Sequence, residues 1–132
     1  MNGATIHLSA HFPANWLFGW VLILLAFLTG ALLGKGFHRD DFLGGYDSFR
    51  RRIFRLGHIA LAALGALNIL YSLGPQNARL GMISSIGLMA GGILMPAVCF
   101  LSGWRAGFRR LFFLPVICLM TAVACIIYGG LS

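Results

Sequence analysis

"ANWLFGWVLILLAFLTGALLG", residues 14–34, runs for 21 positions without an Asp, Glu, Lys or Arg. A helix rises 1.5 Å per residue, so about 20 such residues cover the roughly 30 Å hydrocarbon core of a bilayer. The stretch therefore predicts a transmembrane helix. Three more runs share the property: Leu56–Leu73 with 18 residues, Leu80–Ser102 with 23 and Leu111–Leu131 with 21. The expected fold is all-α, with a single domain over residues 1–132 forming a bundle of four transmembrane helices. The second run is the shortest, and Phe49–Arg55 can extend its helix into the headgroup region.

Composition agrees. Hydrophobic residues make up 59% of the chain and charged residues 10%, against roughly 45–50% and 25% in soluble domains. The mean hydropathy is +0.87. A soluble protein of this size could not cover so much apolar surface with so few charges, so the expected solvent is lipid. The net charge of +7 would point to nucleic acid in a soluble domain. Here the arginines border apolar runs, which implies lipid headgroups instead and no nucleic acid.

Charge also orients the chain. Loop 35–55 carries Lys35, Arg39, Arg50, Arg51, Arg52 and Arg55, and loop 103–110 carries Arg105, Arg109 and Arg110, leaving only Arg79 opposite. Short basic loops stay in the cytoplasm, so both termini are expected on the non-cytoplasmic side of a bacterial cytoplasmic (inner) membrane. The aromatic belts agree: Trp16, Trp20, Tyr71 and Tyr128 fall near the outer ends of the runs, Tyr46 and Trp104 near the inner ends. The first run lacks a preceding basic segment and is expected to be retained as a reversed anchor.

The stretch "YDSFRRRIFRLGHIALAALG", residues 46–65, carries the densest charge. Asp47 or Ser48 can cap a helix, after which Phe49, Ile53 and Leu56 share a face. Arg50, Arg51, Arg52 and Arg55 then form a lipid-headgroup anchor, each contributing about 1 kcal/mol near an anionic surface.

In lipid, helices associate through small residues and buried polar groups. The packing candidates are the GxxxG pairs Gly30/Gly34 and Gly87/Gly91, Ser84 on the face of the second pair, and Asn68, which shares a face with Leu61 and Leu64. Gly65 adds to a small surface with Ala62 and Ala66. Pro96 removes a helix hydrogen bond and crowds the Gly92 carbonyl, so a kink is expected there; Pro115 marks the entrance of the last helix.

Candidate chemistry is sparse. His58 lies inside a span near the inner interface. A haem b there needs a second axial ligand from Met82, Met89, Met95, Met120, His38 or a partner subunit. His7 and His11 lie at i, i+4 but lack a third metal ligand. His38, Asp40 and Asp41 in "FHRDDF", residues 37–42, read as a solvated charge cluster. Cys99, Cys118 and Cys125 sit in apolar runs without a CxxC pair, as small buried side chains. No metal site is expected, and no cofactor unless His58 takes haem.

The spans contain no ionisable pathway of the kind that pumps and coupled transporters use, and no hydrolase or nucleotide-binding motif is present. The expectation is a non-catalytic accessory or assembly subunit that packs laterally against other membrane protein subunits or copies of itself. The alternatives are a haem-binding redox subunit using His58, and a small-solute channel or carrier oligomer using the helix that holds Pro96.

Overall fold

A computed structural model describes residues 13–74 and 80–131. It contains four helices: α1 (Pro13–Gly36), α2 (Phe49–Leu73), α3 (Leu80–Trp104) and α4 (Phe113–Leu131). Short 3-10 segments, Phe42–Gly44 and Ala106–Phe112, lie in the two connections, and no strand occurs among the described residues. The first three helices, and α4 with the turn leading into it, are long and apolar enough to cross a membrane. That is the architecture of an integral membrane protein.

Three of the helices, α1, α2 and α3, extend beyond their apolar runs at one end or both, because backbone hydrogen bonding is indifferent to side-chain charge. The clearest case is α2, which starts at Phe49 rather than Leu56. Ser48 sits in an extended conformation and its hydroxyl accepts from the Arg51 amide at 3.1 Å, which satisfies one of the orphan donors of the first turn. The same hydroxyl donates to the Leu43 carbonyl at 2.7 Å. Ser48 thus caps the helix and pins the loop, whose residues Leu43, Gly44 and Gly45 all have positive φ. α4 begins at Phe113 instead of Leu111, with Pro115 in its first turn.

Each helix runs antiparallel to its predecessor. Gly19 meets Gly65, and Gly30 meets His58, between α1 and α2. Tyr71 donates to the Gly81 carbonyl at 2.6 Å near one end of α2 and α3, and Gly103 abuts Phe54 near the other. Gly87 meets Ala122 and Gly91 meets Leu119 between α3 and α4. The substantial contacts join chain neighbours, with a smaller one between α1 and α3, and α4 rests on α3 and its own leading turn. The expected bundle is therefore open, closer to a row in which α3 is shared.

The core is a cluster of Leu22, Ala26, Ala60, Leu61 and Leu64, with Phe18, Met95, Phe100 and Leu119 packed against it. Phe27, Ile117 and Met120 point away from the protein. Alternation of the helices places both connections, 37–48 and 105–112, at one end, called here the loop end. Lys35, Arg39, the four arginines of early α2, and Arg105, Arg109 and Arg110 all lie there.

Among the described glycines, the tightest approach to another helix's backbone is at Gly19 and Gly65. A Cβ at Gly19 would lie 2.6 Å from the Gly65 carbonyl oxygen, and one at Gly65 would lie 2.8 Å from the Gly19 carbonyl oxygen. Backbone atoms cannot rotate away, so a methyl group at either site has to push α1 from α2. Gly34 is the opposite case, with nothing within 4 Å of its added Cβ among the described residues. Overpacking of this kind costs about 1–3 kcal/mol. Gly65→Ala is expected to lower unfolding stability in detergent by that amount, while Gly34→Ala leaves it unchanged or slightly raised. Equal effects of the two substitutions would contradict the crossing.

Candidate functional site

Three groups of polar side chains stand out against the apolar helices. The first joins α1, α2 and α3. Asn15 and Asn68 are fully buried, and the Asn15 amide donates to the Asn68 carbonyl oxygen at 2.8 Å. The Ser85 hydroxyl donates to the Asn15 carbonyl oxygen. The Asn68 amide in turn donates to the Leu64 carbonyl at 2.9 Å and lies 3.4 Å from that of Leu88. A buried amide without partners costs about 1–3 kcal/mol, so once these three residues are enclosed they have to find one another. The network fixes the rotation and register of three helices at once.

Asn68 is the residue that the pattern with Leu61 and Leu64 points inward, and all three are buried. Its partner Asn15 is not singled out by any periodicity, since it stands in the first turn of α1. The available signal is depth. In antiparallel neighbours, an asparagine near the start of one span and another near the end of the next lie at the same level.

The second group surrounds His58. Thr29 Oγ1 lies 3.2 Å from His58 Nδ1 and donates to the Leu25 carbonyl at 2.8 Å in its own helix. Where Thr29 directs its proton to that carbonyl it accepts from the ring, and the tautomer that suits this contact carries its proton on Nδ1 and its lone pair on Nε2. The imidazole covers Gly30, where an added Cβ would come within 2.8 Å of Cε1. His58 thus bridges α1 and α2. No group of three or more His, Cys, Asp or Glu side chains gathers in reach of a metal among the described residues. His7 and His11 lie outside them.

The third group is the basic loop end, where the four arginines of α2 divide. Arg50 Nε donates to the Gly103 carbonyl of α3 at 2.8 Å, and Arg52 donates to the Asp47 carbonyl at 2.9 Å. Arg51 instead turns inward and is only 6% exposed. Its Cζ lies 4.5 Å from the Phe37 ring centroid and 5.4 Å from that of Tyr46. Arg55 stands against the same two rings, at 5.1 and 5.3 Å. Arg109 covers Phe49 at 3.9 Å and ties the second connection to α2. Asp40 and Asp41 remain exposed, and Arg39 pairs with Asp41 at 3.8 Å.

The remaining candidates fall around α3. Gly87 and Gly91 face α4, while Gly92 faces Phe18 and Leu22 of α1. Pro96 is buried within a helix that continues through it to Trp104. Ser84 donates to the Leu80 carbonyl at 2.9 Å and lines a groove of about 610 Å³ between α2, α3 and α4 at the end away from the loops. Leu67, Leu70, Tyr71, Val123 and Ile126 supply its walls. The groove exists because α4 leans mainly on α3 and its own leading turn.

A double-mutant cycle tests the polar network. Asn15→Ala and Asn68→Ala are each expected to destabilise the protein by about 1–3 kcal/mol. Their coupling should be roughly 0.6–1.7 kcal/mol, the range seen for interhelical hydrogen bonds. Strict additivity of the two losses would show that the amides do not act together.

Comparison with known proteins brought no match: no family model, no curated protein and no solved structure is significantly similar to the chain.

Proposed function

We propose that this chain is an integral protein of a bacterial cytoplasmic membrane, with its loop end in the cytoplasm and both termini outside. Its role is that of a non-catalytic accessory or assembly subunit that works through lateral contacts with other membrane proteins or with further copies of itself. The segregation of Lys and Arg to the loop end supports the orientation through the positive-inside rule. The observation that carries the lateral role is the attachment of α4. It is held along one face, with Pro115 and Ala122 its only buried residues among those described, and it leaves the α2–α4 groove open. Lipid can fill that space, but a small-residue floor of Gly81 and Ser84 is the kind of surface on which another helix packs closely.

The test is native mass spectrometry of the protein extracted from its own membranes in a mild detergent. The expected result is a stable adduct with another polypeptide or a defined oligomer. Leu70→Trp combined with Val123→Trp, which fills the groove, should abolish that adduct without unfolding the chain. A bare monomer before and after the substitutions would sink the subunit reading.

A second reading is favoured by one observation at His58. The contact of Nδ1 with Thr29 orients the ring, and in the tautomer that donates from Nδ1 the lone pair is on Nε2, as in many histidines that bind a metal centre. In that reading His58 supplies one axial position for haem and a partner subunit supplies the other. A Soret band in the purified complex that is lost with His58→Ala would establish it. Full retention of any such band in the variant would place the pigment elsewhere.

A further inference from the structure

Arg51 is an anomaly. Its guanidinium is enclosed by the protein, yet its Nε has no hydrogen-bond partner among the described residues. The chain has only three carboxylate side chains, Asp40, Asp41 and Asp47, and all are exposed in the adjoining loop. The single ion pair among the described residues, Arg39 with Asp41, uses none of the α2 arginines. A buried cation without a counter-charge is costly unless something compensates it. Two aromatic faces offset part of that cost, but they leave the full positive charge in place.

Arg55 makes the imbalance worse. It lies one helical turn from Arg51 and stands against the same Phe37 and Tyr46 rings. Two like charges on neighbouring turns repel. They also occupy the first turns of a helix whose amino-terminal end is itself positive, with no acidic residue there to offset it. Arg50 and Arg52 have each found a carbonyl, and Arg109 has its own ring. Arg51 and Arg55 are thus held together, and among the described residues neither forms an ion pair with a carboxylate.

We propose that Arg51 and Arg55, walled by Phe37 and Tyr46, form a binding site for a phosphate group. Planar guanidinium forks match the spacing of phosphate oxygens and bind them in charge-assisted pairs. Two such forks a turn apart can grip one tetrahedral anion from two directions. The site differs from a diffuse basic patch in being selective among arginines: Arg51 and Arg55 hold the anion, and Arg50 and Arg52 shape the loop. The anion can be the headgroup of an acidic phospholipid or a free phosphate. Only the lipid source rests on the membrane placement proposed above.

Native mass spectrometry of the full chain in detergent separates these cases, with dioleoylphosphatidylglycerol and inorganic phosphate as probes. The expected result is one tightly held phosphatidylglycerol or phosphate per chain, weakened roughly tenfold or more by Arg51→Gln or Arg55→Gln and unaffected by Arg52→Gln. Displacement of the lipid by millimolar phosphate assigns the site to free phosphate, and resistance to it assigns the site to lipid. Arg52→Gln weakening binding as much as Arg51→Gln would overturn the proposal, as would unchanged binding in both Arg51→Gln and Arg55→Gln. Arg55 is half-buried, so its variant decides the matter if Arg51→Gln fails to fold. A monomer that still holds the anion selectively would refute the subunit role while leaving this site standing.

Discussion

Four helices this apolar cannot rely on hydrophobic burial to hold one another, because lipid tails solvate leucine as well as a neighbouring helix does. The exposures reflect that constraint: only 11% of the most apolar window in the last span is buried within the chain. Cohesion has to come from close backbone approach and from polar groups that cannot be left unpaired. The first is seen where Gly19 and Gly65 cross, the second where Asn15, Asn68 and Ser85 meet. Both lie toward the same end of α1 and α2, and His58 with Thr29 closes the other half of that interface. The α1–α2–α3 unit is specified by these few contacts, and α4 is attached to it more simply, through small residues of α3.

That division of labour bears on what the protein does. A three-helix unit joined by these contacts, with a fourth helix that buries little of its own surface, offers lateral surface and an open groove, while its loop end concentrates charge. The loop end is also the most constructed part of the connections. Ser48, the left-handed turn at Leu43–Gly45 and the Arg50 bond to Gly103 return Tyr46 to the flank of α2. The result is a pair of arginines enclosed by rings, which would be an expensive arrangement for a segment whose purpose was only to be soluble.

Much of this was legible in the residues, and the remainder was hidden for definite reasons. The four helices follow from the length of the uncharged runs, and the inward face of α2 follows from Leu61, Leu64 and Asn68. The choice between Asp47 and Ser48 as the cap depends on backbone geometry that composition does not carry. Gly30 and Gly34 form one sequence pair, yet Gly30 meets His58 while no described residue comes within 4 Å of a Cβ added at Gly34, because spacing defines a face without saying what lies opposite. The open row is invisible for the same reason: α4 is apolar on every side, so its pattern names no partner. The arginines illustrate the limit most sharply. Four neighbours of identical chemistry separate into carbonyl-bound and ring-enclosed pairs only once the loop folds back.

The proposed role requires that the chain cross a bilayer four times with its loop end in the cytoplasm. Single cysteines at Asp40, Ala106 and Ser132, in a background with Cys99, Cys118 and Cys125 replaced by alanine, can be probed with a membrane-impermeant maleimide. In intact cells or spheroplasts, labelling is expected at position 132 alone, with positions 40 and 106 reacting only after the membrane is permeabilised. Labelling at position 40 or 106 in intact spheroplasts would contradict the orientation. Release of the protein from membranes by carbonate would contradict the spans themselves.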